Sequence, residues 1–344
     1  MISRLAITVD KPGLFSTFQD LGRSGHQHLG VPVAGAMDEM SHCIANWLVG
    51  NAESEATLEI TMIGPALHFS RAAWVALAGA DLGARVVARG SPPHDGVDLA
   101  PSLPHWLPAG STLEFGSRLS GLRAYLAIRG GFGLPATMGS VSTHVRTATG
   151  GFQGRGLRKG DRLVIAQSTS LNATVFLEPT VWTKRLMADL QDRDFGLPIR
   201  ITRGREWEQF TVRSQASLVS ARAVVTAQSD RMACRLLREP LELKVKGDML
   251  SEAVAFGTVQ VPPDGLPIVL MADRQSTGGY PRIAQVASVD LPRLAQVKPG
   301  ESVRFELVEP HEAQALLADR AFRCGQLRAA LQVPTPRTTK ANHG

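Results

Sequence analysis

Short apolar runs that end near turn residues recur along the whole chain. Five of them cover residues 74–80, 122–128, 163–166, 223–227 and 267–271. Each has the length of a β-strand, and the chain holds 33 Gly and 21 Pro to turn the corners between such strands. This pattern is typical of barrels and sandwiches. The sequence therefore predicts a mainly β protein.

Three segments instead show the apolar spacing of a surface helix, and they cover residues 38–49, 181–190 and 312–331. Asp38 is placed to cap the first of them, because an aspartate side chain accepts the free N–H groups of a first helical turn. Gly50 supplies the C-terminal stop of that helix. We therefore expect a few short helices beside the strands.

The chain also repeats its own pattern at an offset of about 192 residues. The matching segments are 5–9 with 197–201, Phe18 with Phe210, Asp38 with Asp230, 74–81 with 266–273, and 97–99 with 289–291. A constant offset over separate segments indicates two copies of one supersecondary plan. Two like units packed together form a cleft, and such clefts are where small-molecule sites usually lie.

These patterns divide the chain into three parts. Residues 1–195 are predicted to form a first unit, in which 117–195 are an added middle segment. Residues 196–310 form a second unit, and residues 311–344 form a C-terminal helix and tail. The tail is expected to be disordered from Pro334 onward, because it is polar and contains two prolines.

Composition excludes several classes of protein. With 344 residues, 44% hydrophobic and 20% charged, the chain is typical of a globular protein of two or three domains. The net charge of +6 is modest and no basic run is interleaved with aromatic residues, so no nucleic-acid partner is expected. The three cysteines lack paired spacing, which argues against a disulfide framework or a zinc site. No signal peptide and no apolar run long enough to span a bilayer are present, so we expect a cytoplasmic protein without membrane contact.

Two dense polar motifs occur near the start of the chain. The first runs from Gln19 through Asp20 to Arg23, and the second from Gly35 to Asp38. Their glycines let a ligand approach the backbone, and an arginine can clamp a carboxylate with two parallel hydrogen bonds. The same residues also fit a helix cap at Asp38 and an Asp20–Arg23 pair, and the sequence leaves both interpretations open.

A sharper motif follows the predicted strand 267–271. Asp273 and Arg274 supply charges, and Gln275, Thr277, Gly278, Gly279 and Tyr280 add an amide, a hydroxyl, a flexible pair and a phenol. Loops that follow a rigid strand commonly carry binding and catalytic residues. A Gly-Gly hairpin with solvated flanks is the alternative, and the density of polar groups favours a site.

A third motif, residues 139–143, offers the hydroxyls of Ser140 and Thr143 to an oxyanion, although a Ser/Thr turn would look the same. No Gly-x-Ser-x-Gly elbow surrounds these serines, so a hydrolase triad is not supported. No His-Glu-x-x-His pattern is present, and no metal is predicted. The chain also lacks a Gly-x4-Gly-Lys phosphate loop and an Ala-Met-Lys-Met biotinylation sequence.

Together the motifs resemble the biotin-dependent carboxyltransferase family. The resemblance covers about residues 5–308 and rests on segments 18–23, 30–38, 45–51, 58–60, 139–143, 257–262 and 273–281. It implies two tandem cyclophilin-like β-barrels, in agreement with the internal repeat. The chain departs from the family pattern at Arg205, Ala233, Arg238 and Ser276, and two of these departures replace glycines beside Asp230.

The family includes the C subunits of 5-oxoprolinases, KipA proteins, allophanate hydrolase subunit 2-like proteins and the carboxyltransferase part of urea amidolyase. The resemblance implies first the C subunit of an ATP-dependent 5-oxoprolinase, which opens the lactam of 5-oxoproline to glutamate together with a cyclophilin-like B subunit and a separate A subunit. ATP would then be used by the complex, and no biotin is expected on this chain. Arg23 and Arg274 suit the carboxylate of a small anionic substrate. Asp20, Asp38 or Asp273 suits proton transfer if burial raises its pKa.

Two other functions remain open at this stage. One is a biotin-dependent carboxyltransferase that acts on urea or a related acceptor, with carboxybiotin carried by another chain. The other is a KipA-like regulatory binding protein that antagonises a kinase inhibitor. A pure binding protein needs fewer polar loop residues than this chain has, and gene neighbourhood would separate the three.

Overall fold

The computed structural model describes residues 6–88, 95–166, 179–191, 196–245, 247 and 249–331. Its architecture is mainly β, with two barrel-like units and five α-helices in the described part of the chain, so the predicted fold class is confirmed. All five apolar runs used for the strand prediction contain a strand. The predicted disordered tail lies outside the described residues.

The first unit consists of two sheets. One has the spatial order Arg162–Val164 (β11), Ala6–Lys11 (β1), Ala66–Phe69 (β4), Ser111–Phe115 (β9), Ala84–Ala88 (β6) and Val97–Asp98 (β7). The other has the order Phe15–Gln19 (β2), Thr57–Thr61 (β3), Ser120–Ile128 (β10), Ala73–Asp81 (β5) and Pro104–Leu107 (β8). The middle segment therefore supplies the central strand β10, which pairs with both β3 and β5.

Strand alternation decides which side chains of the second sheet are available for chemistry. Leu58 and Ile60 on β3 point into the core between the two sheets. Glu59 lies between them, so its side chain points to the opposite face, because successive side chains of a strand alternate. Arg123 and Tyr125 on β10 reach Glu59 on that face. A charged cluster is thus placed on the outer face of a sheet whose inner face is apolar.

The second unit is one sheet that nearly closes on itself. Its order is Ser302–Val303 (β20), Ala223–Val225 (β13), Ala233–Leu237 (β14), Ile268–Leu270 (β17), Thr258–Gln260 (β16), Arg282–Val286 (β19), Ile199–Arg203 (β12) and Phe305–Leu307 (β21). The two edge strands are separated in sequence by Arg304 alone, so the edges of the sheet meet. A short two-stranded sheet, Glu252–Ala253 (β15) with Thr277–Gly278 (β18), lies beside the barrel.

The helices are Glu39–Leu48 (α1), Val181–Gln191 (α2), Val212–Ser220 (α3), Leu291–Ala295 (α4) and Pro310–Leu331 (α5). Three of them, α1, α2 and α5, fall on the predicted segments, and the Asp38 side chain caps α1 by accepting from Ser41 N. The sequence analysis missed α3, whose cap is Thr211, and the five-residue α4. No helix in the described ranges has the length and apolar character needed to cross a membrane.

The offset of the internal repeat holds for two pairs of segments and fails for others. Residues 6–9 and 199–201 fall on β1 and β12, and the segment 74–81 lies in β5 while its counterpart 266–273 contains β17. Asp38, however, caps α1, whereas Asp230 lies in the turn between β13 and β14. The predicted equivalence of these two aspartates is therefore wrong. The segment 97–99 likewise begins in β7, whereas its counterpart 289–291 lies at the start of α4.

A glutamine from the second unit joins the two units. Gln296 follows α4 and is buried in the first unit, where its side-chain oxygen accepts from the backbone N–H groups of Leu122 and Arg123, each at 2.9 Å. Its amide nitrogen donates to Asp38 Oδ2 at 2.7 Å and to Arg123 O at 2.9 Å. Met37 of the first unit packs in the apolar core of the second unit in turn. The units therefore share one buried interface.

Replacing this glutamine tests the interface. Gln296→Ala is expected to lower the free energy of unfolding by about 2–4 kcal/mol, because it removes one buried donor from the Asp38 carboxylate and takes away the side-chain partner of the Leu122 and Arg123 N–H groups of β10. Denaturant unfolding of the isolated chain measures the change. Gln209→Ala, at an exposed position of the second unit, serves as control and should stay within about 0.5 kcal/mol of the wild type. A Gln296→Ala variant as stable as this control would contradict the interface role.

Candidate functional site

The carboxylate of Asp20 holds the turn at residues 139–142 in place. Asp20 lies directly after β2 and accepts from Ser140 Oγ at 2.6 Å, Ser142 Oγ at 2.5 Å, Val141 N at 2.7 Å and Gly22 N at 2.8 Å. Burial alone would raise the pKa of Asp20, but these donors stabilise the anion and hold its pKa below the ordinary value. The condition set for Asp20 as a proton-transfer group, a pKa raised by burial, is therefore not met.

Gln19, the last residue of β2, and Arg23, in the loop that follows, both have unsatisfied polar atoms. Gln19 Nε2 donates to Thr143 O at 3.1 Å, and Arg23 donates to Ser142 O. Gln19 Oε1 and Arg23 Nε are both buried without a hydrogen-bond partner. The candidates Gln19, Asp20, Arg23, Ser140 and Thr143 thus form one cluster, which brings together two motifs that the sequence analysis treated separately.

Two glycines let the chain close over this cluster. Gly150 and Gly151 have φ of +67° and +55°, in the left-handed region that favours glycine. A Cβ on Gly150 would lie 2.6 Å from Arg23 Nη2, and a Cβ on Gly151 would lie 1.8 Å from Thr143 Oγ1. The backbone at this point can therefore cover the arginine only because it has no side chains.

Asp273, at the start of the sharpest sequence motif, is held by an arginine of its own unit. Arg231 donates to both oxygens of Asp273, with Nε–Oδ2 and Nη2–Oδ1 distances of 3.0 and 2.9 Å. The same guanidinium donates to Gly35 O at 2.6 Å and to Glu59, and both acceptors belong to the first unit. Asp273 therefore lies where the two units meet.

His144 approaches Asp273 from the first unit. Its ring is close enough to interact with the backbone and carboxylate of Asp273, and its Nδ1 lies 2.8 Å from Thr147 Oγ1. Burial lowers the pKa of His144; Asp273 opposes this shift and Arg23 adds to it, so the imidazole is neutral at pH 7. A neutral imidazole can accept or donate a proton. The charge of Arg23 also interacts with Asp273, so Arg23, His144, Arg231 and Asp273 converge.

The motif at residues 35–38 mainly connects Asp20 of the first unit with Arg231 of the second unit. The Gly35 carbonyl accepts from Arg231, and the Ala36 N–H donates to Asp20 O at 2.9 Å. Asp38 accepts from Ser41 Oγ at 2.6 Å and from Gln296, and it is almost fully buried. Helix capping and unit joining account for Asp38 without a substrate, which is the structural interpretation that the sequence left open.

The remaining residues of the 273–281 motif pack on the second unit. Arg274 is half-buried, lies 5.6 Å from the ring centroid of Phe256 and donates to Met271 O at 3.3 Å; burial lowers its pKa. Thr277 and Gly278 pair with β15, and Gln260 donates to Tyr280 O at 3.2 Å. Gln275 and Gly279 are half-buried, and Tyr280 is exposed. Within the described chain, only the Asp273 end of this loop is shown to contact the first unit.

A pocket of about 670 Å³ opens beside the Asp20 turn. Asp20, Gly139 and Val141 line it together with Glu55 and the end of β11. All of its lining residues belong to the first unit, so it is not the inter-unit cleft that the repeat predicted. Among the described residues, no group of three His, Cys, Asp or Glu side chains is arranged to hold a metal ion.

Three residues of this site were missed in the sequence analysis: Glu59, His144 and Arg231. His144 directly follows the motif 139–143, and Arg231 directly follows Asp230. Only the contact between the units shows that these side chains meet. The departures from the family pattern beside Asp230 do not disturb the turn, because Ala233 and Arg238 lack positive φ and Asp230 Oδ1 still accepts from Met232 N at 2.8 Å.

Comparisons with known proteins agree with this architecture. The chain matches the family model "Carboxyltransferase domain, subdomain A and B" over residues 29–307. It is 35% identical to the 5-oxoprolinase C subunit of Haemophilus influenzae, over 91% of this chain and 94% of that protein. It is 36% identical to the 5-oxoprolinase C subunit of Escherichia coli, over 89% and 93% of the two chains. The K. lactis urea amidolyase structure superposes with a TM-score of 0.82 at 26% identity, over 94% of this chain but 20% of that one.

The saturated carboxylate of Asp20 predicts a pH-dependent loss of stability. Because its native pKa is lowered, Asp20 stabilises the fold above the ordinary aspartate pKa of about 3.9, and this contribution is lost as the pH falls through the lower native pKa. Asp20→Asn should therefore cost about 1.5–3 kcal/mol at neutral pH, with a smaller difference from wild type in acid. Denaturant unfolding of both proteins, measured at neutral pH and in acid, checks this difference. Asp10→Asn, at an exposed position, is the control, and an equal cost of Asp20→Asn at both pH values would contradict the assignment.

Proposed function

The chain belongs to the family of carboxyltransferase domains that consist of subdomains A and B. On this basis we propose that it is the C subunit of an ATP-dependent 5-oxoprolinase. The observation that carries the proposal is the match to two proteins of that name over nearly their whole length. The reaction opens the lactam of 5-oxoproline to glutamate. ATP is a substrate of the complex, and the partners are a cyclophilin-like B subunit and a separate A subunit.

Arg23 suits the carboxylate of this substrate. Its guanidinium is buried, and no carboxylate oxygen within 4 Å of it is found among the described residues. Its Nε–H has no acceptor. A buried cation without a direct carboxylate contact and with an unpaired Nε–H costs free energy, and an anionic ligand would relieve that cost. Arg274 directly follows Asp273 and is a second candidate cation, although its contacts are with Phe256 and Met271 of the second unit.

Two further groups suit proton transfer during lactam opening. His144 is neutral at pH 7 and lies against the backbone of Asp273. Each oxygen of Asp273 accepts from Arg231 and keeps a second lone pair for a substrate N–H or a water molecule. We assign the proton-accepting role to this pair, in preference to Asp20, which four donors hold as an anion, and Asp38, which caps α1 and joins the units.

Carboxyl transfer to urea or a related acceptor is the second candidate. The superposition on the K. lactis urea amidolyase over most of this chain favours it. In that case the carboxyl donor would be carboxybiotin on another protein. Transfer of labelled CO₂ from a carboxylated biotin carrier to urea, in the presence of this chain, would distinguish it from lactam cleavage.

The assembly can be tested directly. We expect no 5-oxoproline-dependent ATP hydrolysis by the purified chain, and activity once both partner subunits are added, since this sequence carries no phosphate loop of its own. The measurement is phosphate and glutamate release with and without each partner. Strong activity of this chain alone would overturn the proposed division of labour.

Arg274→Ala tests substrate binding. Loss of a charge-assisted contact to the substrate carboxylate should lower kcat/KM of the complex by roughly 30- to 150-fold. Some stability should be lost as well, about 1 kcal/mol, because Arg274 stacks on Phe256.

Arg203→Ala is the matched control for Arg274→Ala, since Arg203 lies 5.8 Å from the ring centroid of Trp207 in the same unit. It should lose a similar packing contact and keep its activity. Equal activity losses in the two variants would assign Arg274 a structural role only.

A further inference from the structure

Glu59 is a buried carboxylate that connects the two units. It lies in the middle of β3 with 1% of its surface exposed. One oxygen accepts from Met37 N at 2.9 Å and from the Tyr125 hydroxyl at 2.8 Å. The other accepts from Arg231 of the second unit and lies 3.9 Å from Arg123 Nε. The Met37 backbone and Tyr125 thus hold one carboxylate oxygen of Glu59, and the other oxygen faces Arg231.

Arg231, held by Glu59, in turn fixes the orientation of Asp273. Its guanidinium is planar, so the donors that bind Glu59 and the donors that bind Asp273 have a fixed angle between them. Both oxygens of Asp273 are bound by that single guanidinium. The orientation of Asp273 is therefore set by Arg231, and the orientation of Arg231 is set by Glu59 and the Gly35 carbonyl.

We propose that Glu59 is a positioning residue: through Arg231 it sets the orientation of Asp273 and of the 273–280 loop that follows. Glu59 belongs to one unit and the loop to the other, so the correct pose of the loop requires that the units are correctly joined. The catalytic consequence rests on the proposed function, because it assumes that Asp273 acts on 5-oxoproline.

Glu59→Gln removes the charge and keeps the shape. A glutamine side chain has one accepting oxygen, whereas Glu59 accepts through both of its oxygens. Arg231 then retains only the Asp273 carboxylate as an anionic partner and can reorient. Asp290→Asn is a matched control, since Asp290 is also fully buried between two arginines, Arg200 and Arg293. Its contacts lie within the second unit and do not involve Arg231 or Asp273.

The first test is hydrogen exchange of the full-length chain, which does not depend on activity. We expect amides of residues 274–280 to exchange on the order of 10-fold faster in Glu59→Gln than in wild type, because the start of the loop has lost its anchor. Asp290→Asn should leave this segment within about 2-fold of wild type. Unchanged exchange in Glu59→Gln, or equal acceleration in the control, would overturn the proposal.

The second test is a double-mutant cycle in the reconstituted complex, using 5-oxoproline and ATP. Glu59→Gln should lower kcat on the order of 10-fold in the wild-type background and less than about 3-fold in the Asp273→Asn background, since both act through one element. Fully additive losses would overturn the role of Glu59 in catalysis. If the wild-type complex does not cleave 5-oxoproline, the proposed function fails, and the exchange experiment still decides whether Glu59 positions the loop.

Discussion

The buried guanidinium of Arg231 is the contact on which the rest of this structure depends. It leaves water and finds acceptors in Glu59, Gly35 and Asp273, two of which belong to the opposite unit. Removing a charge from water costs several kcal/mol, and that cost is recovered only when the geometry of the acceptors is correct. Incorrectly docked units would leave this charge unpaired. The main effect of the ion pair is therefore to select one arrangement of the two units, and its net contribution to stability is smaller.

The second constraint is the amide of Gln296, which supplies specificity without charge. It pairs with the backbone of β10 on one side and with Asp38 on the other. Because Asp38 also caps α1, the start of that helix is tied to the second unit. Polar side chains that look catalytic in the sequence thus serve the interface. A dense polar motif in a two-unit protein marks the boundary between units as readily as a substrate site.

The contrast between satisfied and unsatisfied polar groups distinguishes Asp20 from its neighbours Gln19 and Arg23. Asp20 has four donors around its carboxylate, and its lowered pKa suits a structural anion. Arg23 and Gln19, which flank Asp20 in the sequence, each keep a buried polar atom without a partner. Buried polar groups are nearly always hydrogen-bonded, so such exceptions call for a ligand or a function. These groups lie near His144 and Asp273, at the junction of the units.

The sequence by itself determined the secondary-structure class and most of the local devices. Runs of strand length, the Asp38 cap and the spacing of α5 depend on neighbours within a few residues, so they can be recognised without the fold. Gln19, Asp20 and Arg23 stay together because they are neighbours in sequence, whereas the contacts of Asp20 with Ser140 and Ser142 span 120 and 122 positions and depend on the fold. Tertiary structure alone decided the equivalence of Asp38 and Asp230, which failed, and the meeting of Glu59, His144 and Arg231 with Asp273. The Glu59–Arg231 contact joins residues 172 positions apart, and its geometry depends on how two separately folded cores dock. Periodicity and spacing describe the surface that each strand presents, whereas docking depends on the shape and charge of two such surfaces together.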